Sequence, residues 1–236
     1  MTWDAEKYEK WFATPTGLAA FHSERRLLDL MTAGWPRRST RLLEVGCGTG
    51  LFLESLWQRG FDVTGVDLSP GMVKAARTRF GNRAEISVGN GECLPYQAGE
   101  FDYVVLWTVL EFCQDPGAML REAARVADQG LVVGFLNRWS FYFLSHGNEP
   151  HKTLGRGRWY SWPQMRRMIT VNVGRTPQQA RSVLPGPVST WRENQPAKII
   201  NSQLLPPWCG AFCAARVDFF GERPLTPIVI TPEPSS

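Results

Sequence analysis

The sequence contains no apolar run near the ~20 residues that a membrane-spanning helix needs. Its longest nearly apolar stretches, Tyr103–Leu110 and Leu131–Leu136, stop far short. A secretory leader is not expected either, because the first ten residues, MTWDAEKYEK, are charged throughout. Lysine is scarce: Lys7, Lys10, Lys74, Lys152 and Lys198 are the only lysines among 26 basic residues. Histidine is limited to three and cysteine to five. An odd cysteine count without an export signal predicts a reducing, cytoplasmic compartment. The apolar fraction of 43% is enough to offset chain ordering and excludes a disordered chain.

Acids are missing from one long stretch. From His151 to Arg192 there are eight bases and none of the opposite sign. Residues 1–150 hold 15 bases against 18 acids, and residues 151–236 hold 11 against 4. The overall +4 is therefore the surplus of the second part, which also carries 11 of the 17 prolines. This division predicts a regular scaffold followed by a basic, loop-rich segment.

The first 36 residues read as a helical cap. Trp3, Tyr8, Trp11 and Phe12 fall on one helical face, Pro15 and Gly17 interrupt, and Thr16 can cap a second helix to about Met31. Regular alternation follows. Arg41–Val45, Phe61–Val66, Glu85–Val88, Phe101–Trp107 and Leu131–Leu136 read as strands. Helices separate them, with Ser69-Pro70 and Asp115-Pro116 as helix starts. The Asp115 helix is expected to run to about Ala127 and stop at Gly130. Short, nearly continuous apolar strands alternating with helices mean parallel βαβ units, an α/β fold covered on both faces. Beyond residue 136, Ser161-Trp162-Pro163 opens a further helix with Met165, Met168 and Ile169. Ala180–Leu184 and Ala211–Phe219 read as strands around a proline-rich insertion, and Leu225–Ser236 as a frayed tail. The expected divisions are 1–36, 37–136, 137–224 and 225–236.

The chemistry starts at the first strand end. Glu44-Val45-Gly46 leads into Gly48 and Gly50, and a helix follows. Glycines admit positive φ and close ligand approach, and the helix start offers free N–H groups. The spacing is not that of a dinucleotide site, because Leu51 stands where the third glycine of G-x-G-x-x-G would be. No Lys-Ser or Lys-Thr follows, so a P-loop is excluded. Asp67, ending the second strand, suits two ribose hydroxyls, and Asn90-Gly91-Glu92 follows the third strand.

Four successive stretches, LLEVGCGTG (42–50), VDLS (66–69), GNGECLP (89–95) and FDYVV (101–105), resemble the ordered motifs of the class I S-adenosylmethionine-dependent methyltransferases. The closest subgroup is type 11, the quinone-biosynthesis-like one. The resemblance covers residues 40–136 well, and YEKWFATPTG at the N-terminus to a lesser degree. It implies a Rossmann-like, mostly parallel seven-stranded sheet with the last strand antiparallel, and S-adenosylmethionine as cofactor with S-adenosylhomocysteine as product. It places Glu44 and the backbone of Gly46, Cys47 and Gly48 at the methionine end, Gly50 among the cofactor-binding residues, and Asp67 on the ribose. Leu68 and Met72 then pack on the adenine, and Asn90, Gly91 and Glu92 read its edge. Trp107 and Thr108 line the methionine side, with Tyr8 and Trp11 of the cap completing the set. Asn90-Gly91 stands where relatives usually carry Asp-Ala, and Asp128-Gln129-Gly130 where they carry Pro-Gly-Gly.

The implied reaction is in-line methyl transfer to a small acceptor, of apolar or aromatic or else anionic character. The aromatic cluster Trp139, Phe141, Tyr142, Phe143, Trp159, Tyr160 and Trp162 suits the first. Arg156, Arg158, Arg166 and Arg167 suit an anion or an anionic membrane surface. Nucleic acid is not expected. By position, His22, Glu111, His146, His151 and Tyr160 are candidates for a general base. Two alternatives remain open: a cofactor-binding regulatory or scaffold protein without turnover, and an NAD-dependent oxidoreductase. Cys93, Cys113, Cys209 and Cys213 have poor spacing for a metal and are expected to be buried structural thiols, so no metal site is assigned.

Overall fold

The computed structural model describes residues 4–147, 157–192, 199–201 and 203–219. His151, Arg156 and the tail 225–236 lie outside the described residues. The elements run α1 (Ala5–Phe12), α2 (Pro15–Thr32), β1 (Arg41–Val45), α3 (Leu51–Gln58), β2 (Asp62–Asp67), α4 (Pro70–Phe80), β3 (Glu85–Val88) and β4 (Phe101–Trp107). They continue with α5 (Pro116–Val126), β5 (Ala127–Leu136), α6 (Phe141–His146), α7 (Trp162–Val173), β6 (Gln179–Val183) and β7 (Phe212–Asp218). The strands form one seven-stranded sheet in the order β3-β2-β1-β4-β5-β7-β6. Every pairing from β3 to β5 is parallel, and β7 runs antiparallel to both β5 and β6.

The apolar strand runs are buried on both faces, as parallel strands require. Leu42, Val105 and Val132 join one core with Leu27, Leu28 and Met31 of α2 and Leu53 of α3. Leu43, Val104 and Val133 join the other with Leu120 of α5 and Met165 and Ile169 of α7. The helix starts are fixed by side-chain oxygens that take otherwise unpaired N–H groups. Ser69 Oγ accepts from Met72 N, and Asp115 Oδ1 from Ala118 N at 3.0 Å.

Three expectations are corrected. The cap of α2 is Thr14, whose Oγ1 accepts from Gly17 N, and not Thr16. Pro15 therefore opens this helix, where the sequence reading took it as a break. Gly130 does not stop a helix either: α5 ends at Val126 and β5 begins at Ala127. Gly130 is required for packing, because a Cβ there would lie 2.5 Å from the Val217 carbonyl oxygen on β7. Asp128-Gln129-Gly130 is thus strand and not turn. Finally, α6 is a helix the sequence reading did not anticipate, capped by Ser140 Oγ on Phe143 N. Among the described residues, no helix is long and apolar enough to cross a membrane.

Candidate active site

The sheet changes winding direction at β1 and β4, and a crevice is expected beyond their carboxyl ends. The glycine turn lies there. Gly46, Gly48 and Gly50 have φ of 76°, 55° and 82°, left-handed values that only glycine takes cheaply. The turn is bound into the sheet by its own donors. Gly46 N and Cys47 N both donate to the Val66 carbonyl, at 2.7 and 3.1 Å, and Gly48 N donates to Asp67 Oδ2 at 2.9 Å. The three N–H groups expected to hold the methionine end are therefore engaged within the protein, and a ligand role at the turn falls to its carbonyls.

Asp67 ends β2 with Oδ2 on Gly48 N and Oδ1 on Ser69 N at 2.8 Å. Burial raises its carboxyl above the ordinary range, and these two donors partly offset that. Each oxygen keeps a lone pair for a hydroxyl. Beside it Leu68 is 70% exposed while Met72 is buried, leaving an apolar side chain uncovered where the adenine is expected. Glu44 is buried, and its Oε2 has no hydrogen-bond partner. Burial, then the charge of Asp67, push its carboxyl well above the usual range.

Past β3, the Asn90 amide oxygen accepts from Glu92 N at 2.9 Å, and Glu92 Oε1 accepts from Gln114 N at 2.6 Å. Both polar side chains shape the loop, so reading the adenine edge is left chiefly to backbone. Gly91 is needed for proximity: a Cβ would lie 2.6 Å from Val45 Cγ1.

The cap closes over this crevice. Tyr8 is half-buried, and burial first, then the charges of Glu24, Glu44, Asp67 and Cys47, hold its phenol above the ordinary range. Trp11 and Phe12 pack edge to face, and Phe12 meets Phe52 at 6.3 Å. Arg79 of α4 ties the arrangement together. It donates to Thr49 O, to Glu54 Oε2 of α3 at 3.0 Å, and to Glu9 Oε1 of α1. Replacing Arg79 with Ala is expected to weaken cofactor binding roughly 5- to 30-fold, since half-buried pairs of this kind are worth about 1–2 kcal/mol. Titration with S-adenosylhomocysteine, with hydrogen exchange over residues 5–12, checks this; unchanged exchange would show that Arg79 does not hold the cap.

Two further acids were not both foreseen. Glu24, on the inward stripe of α2 with Ala20, Leu27 and Met31, accepts from Trp107 Nε1 at 3.0 Å through Oε2. Glu111 accepts from Leu136 N at 2.6 Å through Oε1, while Oε2 is buried without a partner. Both residues are 2% exposed. Burial pushes both carboxyls up to about 8, and Glu111 adds to the effect on Glu24. Only Glu111 belonged to the sequence-derived set. Glu24 was legible as an acid on an apolar helical stripe, a position where acids are rare unless used.

The remaining candidates separate. Tyr160 is buried, and its hydroxyl donates to the Leu110 carbonyl at 3.0 Å. Burial holds the phenol above its ordinary range, so it is structural rather than a base. Trp107 is buried, and Thr108 takes a left-handed φ of 49° at the strand end. His22 is half-buried on α2 and His146 ends α6. Cys47 is buried, and burial first, then Glu44 and Asp67, push its thiol well above the usual value, so it is no nucleophile. Of the other thiols, Cys213 is buried, Cys113 and Cys209 are half-buried and Cys93 is exposed. Among the described residues, no three His, Cys, Asp or Glu gather into a metal site. The aromatic cluster divides too. Tyr142 and Trp159 pack with Trp191 in the core, while Trp139 and Phe141 are exposed. A surface groove of about 560 Å³ lies apart, lined by Trp162, Gln178, Arg181, Leu204, Pro207 and Trp208. None of the acids above borders it, so we place no chemistry there.

Residues 43–133 match a type 11 methyltransferase-domain family model. This match and those below support a class I S-adenosylmethionine-dependent methyltransferase domain over these residues. Similar proteins include a ubiquinone biosynthesis O-methyltransferase from Xanthomonas oryzae pv. oryzae, 35% identical over 143 residues, covering 58% of this chain and 56% of that one. A biotin biosynthesis bifunctional protein from Cellvibrio japonicus is 30% identical over 180 residues, 73% of this chain and 32% of that one. The chain thus spans about a third to three-fifths of the length of the curated relatives it matches. A Thermotoga maritima S-adenosylmethionine-dependent methyltransferase, described as a possible histamine N-methyltransferase, superposes with a TM-score of 0.73 at 25% identity, covering 90% and 95% of the two chains. These matches support the Rossmann-like fold and S-adenosylmethionine as the methyltransferase's cofactor, and they give no support to the nicotinamide alternative.

The residues fit that cofactor. The unpartnered Glu44 Oε2 suits an ammonium, Asp67 keeps acceptor capacity for hydroxyls, and the uncovered Leu68 suits an aromatic ring.

The buried acids also fix a pH dependence for the protein without ligand. Glu24 and Glu111 hold protons up to about pH 8, whereas the unfolded chain releases them near the ordinary carboxyl value of 4.5. The folded state therefore binds more protons between these limits, and stability falls as pH rises from about 4.5 to 8. The ligand-free melting temperature is expected to be several degrees lower at pH 8.5 than at pH 6. The Glu24→Gln/Glu111→Gln double variant should flatten the profile, and an equally steep profile in that variant would refute the assignment.

Proposed function

We propose that this protein transfers the methyl group of S-adenosylmethionine to a small acceptor with an apolar or aromatic body. The observation that carries this is the meeting of cap and glycine turn over Asp67: Gly48 N donates to Asp67 Oδ2 at 2.9 Å, and a Cβ on Gly48 would lie 4.0 Å from the Tyr8 ring. When bound, the cofactor supplies an electrophilic methyl on a sulfonium. Asp67 would take the ribose hydroxyls, Glu44 the methionine ammonium, and Leu68 with Met72 one face of the adenine. Trp107 is held by Glu24 and packs on Phe52, which Phe12 of α1 meets in turn. Alignment of this kind supplies ~7–11 kcal/mol towards a displacement.

The aromatic acceptor is supported by the buried Trp107, whose Nε1 donates to Glu24, and by Tyr142, buried against Trp159 and Trp191. The anionic acceptor and the membrane surface gain no such support. Arg158, Arg166 and Arg167 are exposed, and the groups buried near Trp107 are acids. The ubiquinone biosynthesis O-methyltransferase and the possible histamine N-methyltransferase differ by name in the atom methylated, so the acceptor must be argued from this chain's own residues. Calorimetric titration with S-adenosylmethionine and S-adenosylhomocysteine tests the cofactor, and a labelled-methyl screen of small ring compounds tests transfer. Binding without transfer to any acceptor would favour the regulatory alternative, and no binding of either nucleoside would sink both.

A further inference from the structure

The sheet order gives β6 a strand neighbour on one side only, β7. A strand edge of this kind offers N–H and C=O groups to another chain. One position on it is already taken. Ser182 N donates to the Leu205 carbonyl at 2.8 Å, and Leu205 N donates to the Ser182 carbonyl at 2.9 Å. Residues along an antiparallel strand alternate between facing one neighbour and the other, so Ala180, like Ser182, turns its N–H and C=O outwards. The segment that carries Leu205 cannot continue the pairing. Opposite Ala180 it would have to use Pro207, which has no N–H. The Ala180 carbonyl accepts from Arg181 Nη1 at 2.8 Å instead, and no backbone bond joins the Ala180 N–H to the chain after Leu205.

This open stretch of edge borders the surface groove of about 560 Å³. Ala180 and Arg181 line it from β6, Trp162 from the start of α7, and Pro207 and Trp208 from the diverging segment. Trp162 is half-buried and Trp208 is 53% exposed, so both walls present uncovered aromatic surface. The surroundings carry charge of one sign. From Gly157 to Arg192 the chain holds Arg158, Arg166, Arg167, Arg175, Arg181 and Arg192, all exposed, and no acid. Arg166 stands one turn on from Trp162, on the same side of α7. Asp218, whose N–H donates to the groove residue Gln178, is paired with Arg216 at 2.8 Å. An occupant must therefore offer backbone groups in extended form, apolar side chains and negative charge.

We propose that this groove receives an extended, acidic segment of a partner protein, added beside β6 as an eighth strand. The segment pairs through Ala180, sets apolar side chains between Trp162 and Trp208, and turns carboxylates towards Arg181 and Arg166. This gives the acid-free basic stretch a role that the methyl-transfer reading leaves open. β6 stands four strands from β1 and the glycine turn, so the docking surface and the cofactor site are separate.

The test measures fluorescence polarisation of two labelled peptides, acetyl-EVEVEV-amide and acetyl-KVKVKV-amide, with the full chain. The acidic peptide is expected to bind about tenfold more tightly than the lysine peptide, and less so as salt is raised. Ala180→Pro removes the outward N–H alone, a change an edge strand tolerates on its open side. It should weaken binding of the acidic peptide roughly three- to tenfold. Trp208→Ala, at an exposed position, should weaken it about fivefold or more. Arg181→Glu should remove most of the preference for the acidic peptide. Circular dichroism identical to the parent's confirms that each variant is folded. Equal binding of the two peptides, binding of neither, or acidic-peptide binding that none of the three folded variants weakens would overturn the proposal. Binding that appears only after residues 220–236 are removed would also overturn it, by making the chain's own tail the occupant. So would a chain that sediments as a dimer until Ala180→Pro is introduced, by making the occupant a second copy.

Discussion

Replacing Asp67 with Ala is expected to reduce S-adenosylhomocysteine affinity by roughly 10²- to 10³-fold, the largest loss of any single cofactor contact. The carboxylate does two jobs with the same atoms. It accepts from Gly48 N and Ser69 N, which fixes the glycine turn against the start of α4, and it keeps lone pairs for the ribose hydroxyls. Hydrogen bonds to a charged group are worth about 1.5–3 kcal/mol each, and the Ala variant also leaves two donors without their partner. A loss of ~3–4 kcal/mol follows, which corresponds to the stated range. Asp67→Asn keeps an acceptor oxygen but gives up the charge, and should fall between. Titration of the three proteins orders them. If Asp67→Ala bound within threefold of the parent, the ribose assignment would be wrong.

How much of this was readable in advance depends on whether a residue's reason is local. The parallel strands were legible because burial on both faces makes them short apolar runs. The helix starts at Ser69-Pro70 and Asp115-Pro116 were legible because the cap and the fixed φ of proline act within one turn. The Thr14-Pro15 start obeys the same local rule and was misplaced only because Pro15 was taken as a breaker. Gly130 is different. Its reason is the carbonyl of Val217, brought alongside by the sheet order, and no local pattern distinguishes such a glycine from a helix stop.

The site divides in the same way. The acids at the two strand ends, Glu44 and Asp67, came from motif spacing. What they do within the fold did not, because it depends on which donors the protein has already used. The N–H groups of Gly46 and Cys47 are taken by Val66, and the Asn90 amide oxygen by Glu92. Tyr160 was a plausible base until its hydroxyl was found on Leu110. Glu24 was visible as an acid out of place on α2, but its partner, the Trp107 Nε1–H, is brought to it only by the fold.

The second large effect concerns the turn rather than the ligand. Gly46→Ala should destabilise the ligand-free protein by about 2–5 kcal/mol, lowering its melting temperature by roughly 5–15 °C. Two costs add. A φ of 76° places an alanine in the left-handed region, for ~1–2 kcal/mol. The new Cβ would also lie 2.3 Å from Val109 Cγ2 and 2.7 Å from Val109 Cβ. Gly48→Ala separates the two, because φ there is 55° and the nearest atom is the Tyr8 ring at 4.0 Å. It should pay the backbone cost alone and lose no more than about 2 kcal/mol. Adding Val109→Ala to Gly46→Ala should recover only part of the loss, since the Val109 Cβ remains too close. Val109 sits in the loop that carries Thr108 and Glu111 out of β4, so pushing it away displaces that loop beside the glycine turn. Gly46→Ala is therefore expected to lose methyl transfer even at temperatures where it stays folded, and Gly48→Ala to retain a larger share. Equal losses in the two variants would mean that the turn does not rest on Val109.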